Sequence, residues 1–131
     1  MSSFRISLAL AVALAASPAF AAKLSEADRA ALQAAMVQHI DARAADGLYR
    51  HVDIAAGRLI DYAPAKSHPM MFQMGEVFVL CTDFKAPDGA ATNVDFYVLR
   101  QGKGYAVVDT QIANRAPLMK LMDSGKVQPL E

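Results

Sequence analysis

The stretch FVLCTDFKAPDGAATNVDFYVLR (residues 78–100) decides the fold, because its pattern predicts two strands joined by a turn. β-Branched and aromatic residues are frequent on both sides, and the Asp-Gly pair at 88–89 is a strong turn signal between them. Further turn signals between apolar runs are Gly-Glu at 75–76 and Gly-Lys at 102–103. The three turns together predict a series of antiparallel hairpins.

These turns also predict a register. Centring a two-residue hairpin on each turn pairs Met70 with Cys81, Cys81 with Phe96, and Phe96 with Asp109. Because side chains alternate across a sheet, one face then carries Met70, Phe72, Val77, Val79, Cys81, Phe96, Val98 and Val107. The other face carries Met71, Phe78, Leu80, Tyr97, Leu99, Ala106 and Val108. Both predicted faces are therefore apolar.

A helix is predicted for LSEADRAALQAAMVQHIDARAADG (residues 24–47). Ser25 is placed to cap the first free amides, Asp28 completes a pattern like a capping box, and Gly47 marks the predicted end. The helix has an apolar stripe and spans about 20 residues. The stripe consists of Leu32, Met36, Val37, Ile40 and Ala44.

The fold class predicted from these elements is α+β, with one long N-terminal helix packed on a four- to five-stranded antiparallel meander sheet. Residues 49–54 and 59–62 flank the turn signal AAG and predict a further hairpin. The segment APAKSHP (residues 63–69) is predicted to be a loop, because its two prolines cannot donate to a ladder.

One helix covers only one face of such a sheet, so the second apolar face needs another cover. The candidates are a partner subunit, a small apolar ligand, or the C-terminal segment APLMKLMDSG (residues 116–125). We favour a second copy of the chain, because symmetric homodimers are the commonest soluble assemblies. A homodimer or another envelope protein is therefore the predicted partner.

Residues 1–21 have the features of a secretory signal peptide. Arg5 precedes a short apolar run, and the small-residue pattern that ends at Ala21 predicts cleavage there. A single domain over residues 22–131, with no membrane span, is then expected in the periplasm or outside the cell. Without Arg5 the chain has 12 basic and 13 acidic residues, which excludes an electrostatic footprint for nucleic acid. Its single cysteine cannot form an internal disulfide.

Four residues are weak candidates for acid–base catalysis. The predicted register places His68 opposite Asp83, which is the minimum for an oriented general base, although a plain ion pair is the commoner outcome. It places Asp95 between Thr82 and Thr110, whose hydroxyls would satisfy the carboxylate, with Tyr97 nearby. A slip of one residue would instead set Asp83 and Asp95 side by side.

Cys81 and the methionines have simpler interpretations. Cys81 is predicted to be a small buried residue, since no CxxC or catalytic motif accompanies it. His68, Met70 and Met74 are weak candidates for a soft metal such as copper, but core packing is the better explanation and no cofactor or metal is predicted. The predicted ligand-binding residues are those of one sheet face, namely Met71, Phe78, Leu80, Tyr97 and Leu99.

The pattern CTDF…DG…VDFYV resembles that of small uncharacterised secreted proteins of Gram-negative bacteria. It consists here of Cys81, Asp83, Phe84, Asp88, Gly89, Asp95, Phe96 and Tyr97. A helix followed by a meander also resembles the cystatin-like and nuclear transport factor 2-like folds. The resemblance implies an α+β fold and an envelope location, and it implies no catalytic residue. The function expected from the sequence is therefore a non-enzymatic binding or interaction module. The alternatives are a small acid–base enzyme with a pocket at the end of the sheet, or a copper carrier.

Overall fold

The computed structural model describes residues 23–131, so the predicted signal peptide lies outside the described residues. In chain order the elements are α1 (Glu26–Arg43), β1 (Ala44–Ala45), β2 (Leu48–Asp53), β3 (Arg58–Met74), β4 (Val77–Lys85), β5 (Ala91–Gln101), β6 (Gly104–Ile112), α2 (Ala116–Asp123) and β7 (Gln128–Leu130). The predicted α+β class, with a helix packed on an antiparallel sheet, is confirmed. Within the described residues the sheet has seven strands, which is more than the four to five predicted.

Strands β1 to β6 follow one another across the sheet as a meander, and β7 pairs with β3. The extra strand length comes partly from residues 63–69, which belong to β3 and do not form the predicted loop. Strand β3 tolerates Pro64 and Pro69 because its register with β4 shifts on either side of Ser67. The proline-containing segment is therefore an irregular part of a long strand.

Helix α1 begins as the sequence predicts and ends earlier. The Ser25 hydroxyl oxygen accepts a 3.0 Å hydrogen bond from the Asp28 amide. The helix ends at Arg43, and Gly47 lies instead in the two-residue turn between β1 and β2. Asp46 and Gly47 both have positive φ there (54° and 76°), as in a primed hairpin turn. The Asp-Gly pair at 46–47 is thus a hairpin signal rather than a helix stop.

Helix α1 covers one face of the sheet, which we call the first face. Leu32, Ala35 and Met36 are buried against side chains of the sheet. These sheet residues are Tyr49, Tyr62, Met71, Phe78, Leu80, Phe84, Val94, Phe96 and Val98. Since this cluster holds most of the large buried side chains, it forms the main core.

The register between β4 and β5 differs from the predicted one by a single residue. Cys81 lies opposite Asp95, not Phe96. The cause is the connection, which has five residues (86–90) where a two-residue turn was predicted. This loop closes on itself through a 2.9 Å hydrogen bond from the Ala86 amide to the Ala90 carbonyl. An odd loop length moves every β5 side chain to the other face relative to the prediction.

The other two hairpins match the predicted register only near their turns. In the β5–β6 pair Val98 lies opposite Val107, but a bulge then places Asp109 opposite Tyr97 instead of Phe96. In the β3–β4 pair the register next to the turn is as predicted, but the shift between Ser67 and Met71 removes the predicted pairing of Met70 with Cys81. Bulges of this kind have no reliable sequence signal.

The C-terminal segment covers part of the opposite face of the sheet, which we call the second face. Leu118 of α2 and Val127 are buried against Val79 and Cys81. Phe72, Met74, Tyr97, Leu121 and Met122 pack around them. Three covers were considered for this face, and the structure shows one of them, the C-terminal segment of the same chain.

The C-terminal strand is fastened to β3 and to helix α1. Strand β7 pairs with residues 71–73 of β3, and the Arg29 guanidinium of α1 donates a 3.3 Å hydrogen bond to the Leu130 carbonyl. Among residues 23–131, no helix has the length and apolar character needed to cross a membrane.

Replacing Leu118 with alanine should lower the free energy of unfolding by about 3 kcal/mol, because it leaves a cavity between α2 and the sheet. The matched control is Met119→Ala on the exposed side of the same helix, which should change stability by less than about 0.5 kcal/mol. Urea denaturation of both variants measures this difference. Equal effects would contradict the packing of α2 on the second face.

Candidate functional site

A buried ion pair lies on the second face, where β5 approaches the start of α2. Asp95 is 0% exposed, and Arg115 directly precedes α2. The Arg115 Nη2 lies 2.6 Å from Asp95 Oδ1, and its Nε lies 3.1 Å from Oδ2. This contact with two guanidinium nitrogens supplies the partner that a buried carboxylate requires. The hydrogen bond to Asp95 also raises the pKa of Arg115, so the guanidinium stays charged.

The predicted partners of Asp95 are elsewhere. Thr82 and Thr110 lie on the first face, because the one-residue register difference moves Asp95 away from them. The Thr82 hydroxyl donates to the Lys66 carbonyl at 2.9 Å, and the Thr110 hydroxyl lies 3.3 Å from His39 Nε2. The prediction that two threonines satisfy Asp95 is wrong, because the register puts the carboxylate within reach of Arg115.

Cys81 lies beside this ion pair as the cross-strand neighbour of Asp95. Burial raises the pKa of the Cys81 thiol to about 12, and a hydrogen bond to Asp95 acts in the same direction. The residue is buried in the cluster under α2. At neutral pH it is therefore a protonated thiol and a poor nucleophile.

His68 and Asp83 lie close together, at one side of the same face. The His68 Nε2 and Asp83 Oδ2 atoms are 3.1 Å apart, and each side chain is about one third exposed. The approach angle does not give a regular hydrogen bond, and His68 Nε2 has no other partner within residues 23–131. Asn93 is the cross-strand neighbour of Asp83, and its buried Oδ1 also has no hydrogen-bond partner within residues 23–131. The proximity predicted for His68 and Asp83 is present, although the ladder pairs Ser67 with Thr82 there and gives Asp83 no partner on β3.

Tyr97 shares the second face with Asp95 and packs at the edge of the cluster under α2. Burial raises the pKa of Tyr97, and the nearby carboxylates of Asp95 and Asp109 raise it further. The hydroxyl therefore stays protonated at neutral pH. It could donate a hydrogen bond but would not act as a base.

The other predicted site residues are divided between the two faces. Met71, Phe78 and Leu80 are buried in the main core under α1, whereas Tyr97 packs in the cluster under α2. Leu99 is half-buried and pairs with Ala106. The five predicted ligand-binding residues thus do not form one surface. Among the candidate metal ligands, Met70 is exposed and Met74 packs in the cluster under α2. Within residues 23–131, no three His, Cys, Asp or Glu side chains form a group that could hold a metal ion.

A small polar pocket beside His39 was not predicted. It has a volume of about 230 Å³ and is lined by residues of α1, β2 and β6, including His39, His51 and Thr110. His39 Nε2 lies 3.4 Å from the Tyr49 hydroxyl, and desolvation by burial lowers the pKa of His39. His39 follows the buried Met36 by one helical turn, which is the signal that could have placed it near the core.

A more voluminous opening lies beside the start of β3, and we call it the groove. It has a volume of about 850 Å³. One wall consists of residues 58–63 of β3, and the other consists of residues 85–89 at the end of β4 and in the following loop. Leu48 also contributes to the lining. The acids Asp83 and Asp95 line neither the groove nor the pocket beside His39.

The groove borders a two-stranded extension of the sheet, which we call the ribbon: β2 and residues 58–62 of β3. These β3 residues pair with β2 on one side, while pairing with β4 begins only at Ala63. Val52 and Leu59 lie opposite each other on the ribbon and are 62% and 54% exposed. Ile54 at its tip is 88% exposed. A row of exposed apolar side chains on two unsupported strands is typical of a binding surface.

The chain matches no protein-family model, no curated protein sequence and no solved structure. Its function is therefore inferred from the geometry of its own residues.

Asp95→Asn should destabilise the fold by about 2 to 3 kcal/mol, because it removes the charge that Arg115 faces. Arg115→Met should cost more, about 3 to 5 kcal/mol, because Asp95 is fully buried while Arg115 is 31% exposed and can turn towards water. The double variant should recover part of the loss. Denaturant unfolding of the three variants measures the coupling, and simple additivity would contradict a direct pair.

Cys81 should react with iodoacetamide at pH 8.5 about a thousandfold more slowly in the folded protein than in the urea-unfolded chain, because its raised pKa keeps the thiol protonated. The same shift predicts that stability is retained below pH 9 and decreases above it. In that range the unfolded chain loses the thiol proton while the folded chain keeps it. Mass spectrometry of the alkylated protein measures the rate. Equal rates in the two states would contradict the buried thiol.

Proposed function

We propose that this chain is a non-catalytic binding module, exported to the periplasm or secreted through the leader in residues 1–21, which holds an extended polypeptide in the groove. A cystatin-like arrangement of the helix and meander is part of the same proposal. The observation that carries it is the unpaired edge of β3 at residues 58–62, which forms one wall of the groove.

An unpaired strand edge presents backbone hydrogen-bonding groups. In an antiparallel strand, alternate residues direct their N–H and C=O groups to opposite sides, so part of residues 58–62 directs these groups away from β2. Such an edge is a template for an added strand. The groove lies along this edge and leaves room beside it.

The loop on the far side of the groove does not use these groups. Its backbone hydrogen bonds are internal: the Ala86 amide donates to the Ala90 carbonyl at 2.9 Å, and the Gly89 amide donates to the Ala86 carbonyl at 2.8 Å. The Asp88 carboxylate accepts from the Ala90 amide at 2.9 Å. A strand between the loop and β3 would therefore find the edge of β3 available.

The groove favours a single extended segment over a folded partner. Its walls are an edge strand and a loop, so an added strand has no space for further strands of its own sheet. Its volume of about 850 Å³ lies within the range of about 300 to 1,000 Å³ that ligand cavities occupy. The lining combines apolar side chains such as Leu59 and Pro87 with charged ones.

The charges of the groove favour an acidic segment. Arg58 and Lys85 line it, are exposed, and form no ion pair within residues 23–131. Two carboxylates also line it: Asp61 lies 3.5 Å from Arg50, and Asp88 accepts a hydrogen bond from the Ala90 amide. Free cations at the two walls favour a peptide that has carboxylates beside an apolar centre.

The placement of the candidate catalytic residues supports a non-catalytic function. Asp95 is paired with Arg115, and the Cys81 thiol is protonated. His68 and Asp83 form a close pair outside the groove. An acid–base site requires these groups to converge on a cavity where substrate can lie.

A capped peptide of alternating valine and threonine with a glutamate at each end should bind the groove. Titration followed by amide NMR should shift the signals of residues 58–62 and 86–90 first. Replacing the two terminal glutamates of the peptide with lysines should weaken binding about fivefold. The reason is that the ion pairs with Arg58 and Lys85, each contributing about 0.5 kcal/mol, would be lost. The double variant Arg58→Glu with Lys85→Glu should reverse this preference.

The same peptide with its alternate amides N-methylated is the control, because strand addition needs those amide donors. Equal binding of the methylated peptide would indicate an apolar ligand site without strand addition. Shifts confined to residues outside the groove, or no shift at millimolar peptide, would contradict the proposal.

A further inference from the structure

The outer edge of the ribbon is a second unpaired edge. Strand β1 pairs with β2 only at Leu48 and Tyr49, so residues 50–53 carry no strand on that side within the described chain. This edge faces away from the groove and lies at the margin of the sheet. An entire second sheet could therefore be placed beside it.

The backbone groups at this edge can be assigned from the turn that precedes it. The β1–β2 turn has two residues, which makes Ala45 and Leu48 a hydrogen-bonded pair. Leu48 therefore directs its N–H and C=O outwards, and so do Arg50 and Val52, at intervals of two residues. The outward groups of Arg50 and Val52 have no strand partner within residues 23–131.

We propose that this edge pairs with the same edge of a second copy of the chain, antiparallel and about a two-fold axis at Val52. A two-fold axis normal to the sheet keeps each side chain on its own face. Residues that oppose each other across the interface must lie on the same face, so their sequence numbers are both odd or both even. The two-fold axis therefore passes beside a residue that faces its own copy in the partner subunit. Two sheets would become one continuous sheet across the interface.

Complementarity selects Val52 as the centre. There, Val52 faces Val52 of the partner subunit, and His51 faces Asp53 of the partner subunit, twice by symmetry. Centring on His51 would instead place the two imidazoles opposite each other. An imidazole opposite a carboxylate is a favourable cross-strand pair, whereas two like groups are not.

The exposed apolar row supports the same arrangement. Val52 and Leu59 are adjacent on the ribbon, and both are more than half exposed in the single chain. Pairing at Val52 brings the two rows side by side, so each covers part of the other. This interface uses the outer edge and does not depend on peptide binding at the inner edge.

Cysteine cross-linking tests the register. In a Cys81→Ser background, Val52→Cys should form an intermolecular disulfide under mild oxidation at least about tenfold faster than Arg50→Cys. The reason is that opposite Cα atoms of a hydrogen-bonded pair lie about 5.5 Å apart, within disulfide range. Faster cross-linking of His51→Cys or Arg50→Cys than of Val52→Cys would overturn the register.

Sedimentation velocity of the protein without introduced cysteines tests whether the dimer forms. Val52→Asp should weaken self-association at least tenfold, because it places two carboxylates opposite each other. Val108→Asp is the matched control, since Val108 on β6 is similarly exposed (56% against 62%), and it should leave self-association unchanged. A monomer at micromolar concentration would overturn the proposal, as would equal effects of the two variants. Peptide titration of Val52→Asp should still shift the groove signals if peptide binding is correct, which separates the two proposals.

Discussion

A fully buried carboxylate determines how this chain completes its fold. Asp95 has no contact with solvent, and an isolated charge in that position would cost several kcal/mol. Arg115 offsets this cost through contacts with two nitrogens of its guanidinium group. Because Arg115 immediately precedes α2, the ion pair also places that helix where Leu118 can bury itself against β4. The polar contact and the apolar contact thus stabilise the same segment.

The position of Asp95 depends in turn on the length of one loop. Five residues connect β4 to β5, and this odd number places Asp95 opposite Cys81 on the second face. A two-residue turn at Asp88 and Gly89 would have turned the carboxylate towards α1, into the main core. The internal hydrogen bonds of the loop therefore decide which face carries the charge. The same loop also forms one wall of the groove.

The sequence predicts the helix, strands and turns of this fold better than the register between the strands. Capping by Ser25, burial of Leu32 and Met36 on the helix, and three of the turn positions follow from local chemistry and are present. Two members of the predicted stripe are wrong, because Val37 is 48% exposed and Ala44 lies in β1. Register is harder, because a bulge or an odd loop changes the energy little but exchanges the faces. Arg115 was missed for this reason: with Asp95 on the wrong face, no basic residue was needed. The closeness of His68 to Asp83 was predicted, but the ladder pairing predicted for the two residues is absent, because the register shifts on either side of Ser67.

The attachment of β7 has a consequence for synthesis. The last strand of the sheet ends at Leu130, and the Leu130 carbonyl binds Arg29 near the start of α1. A chain is made from its N-terminus, so α1 and six strands exist before the residues that complete the edge of β3 and fasten the helix. The cover of the second face and the pairing of β7 with β3 can therefore form only after residues 116–130 have been synthesised. Until then Val79 and Cys81, which the C-terminal segment covers, are open to chaperones.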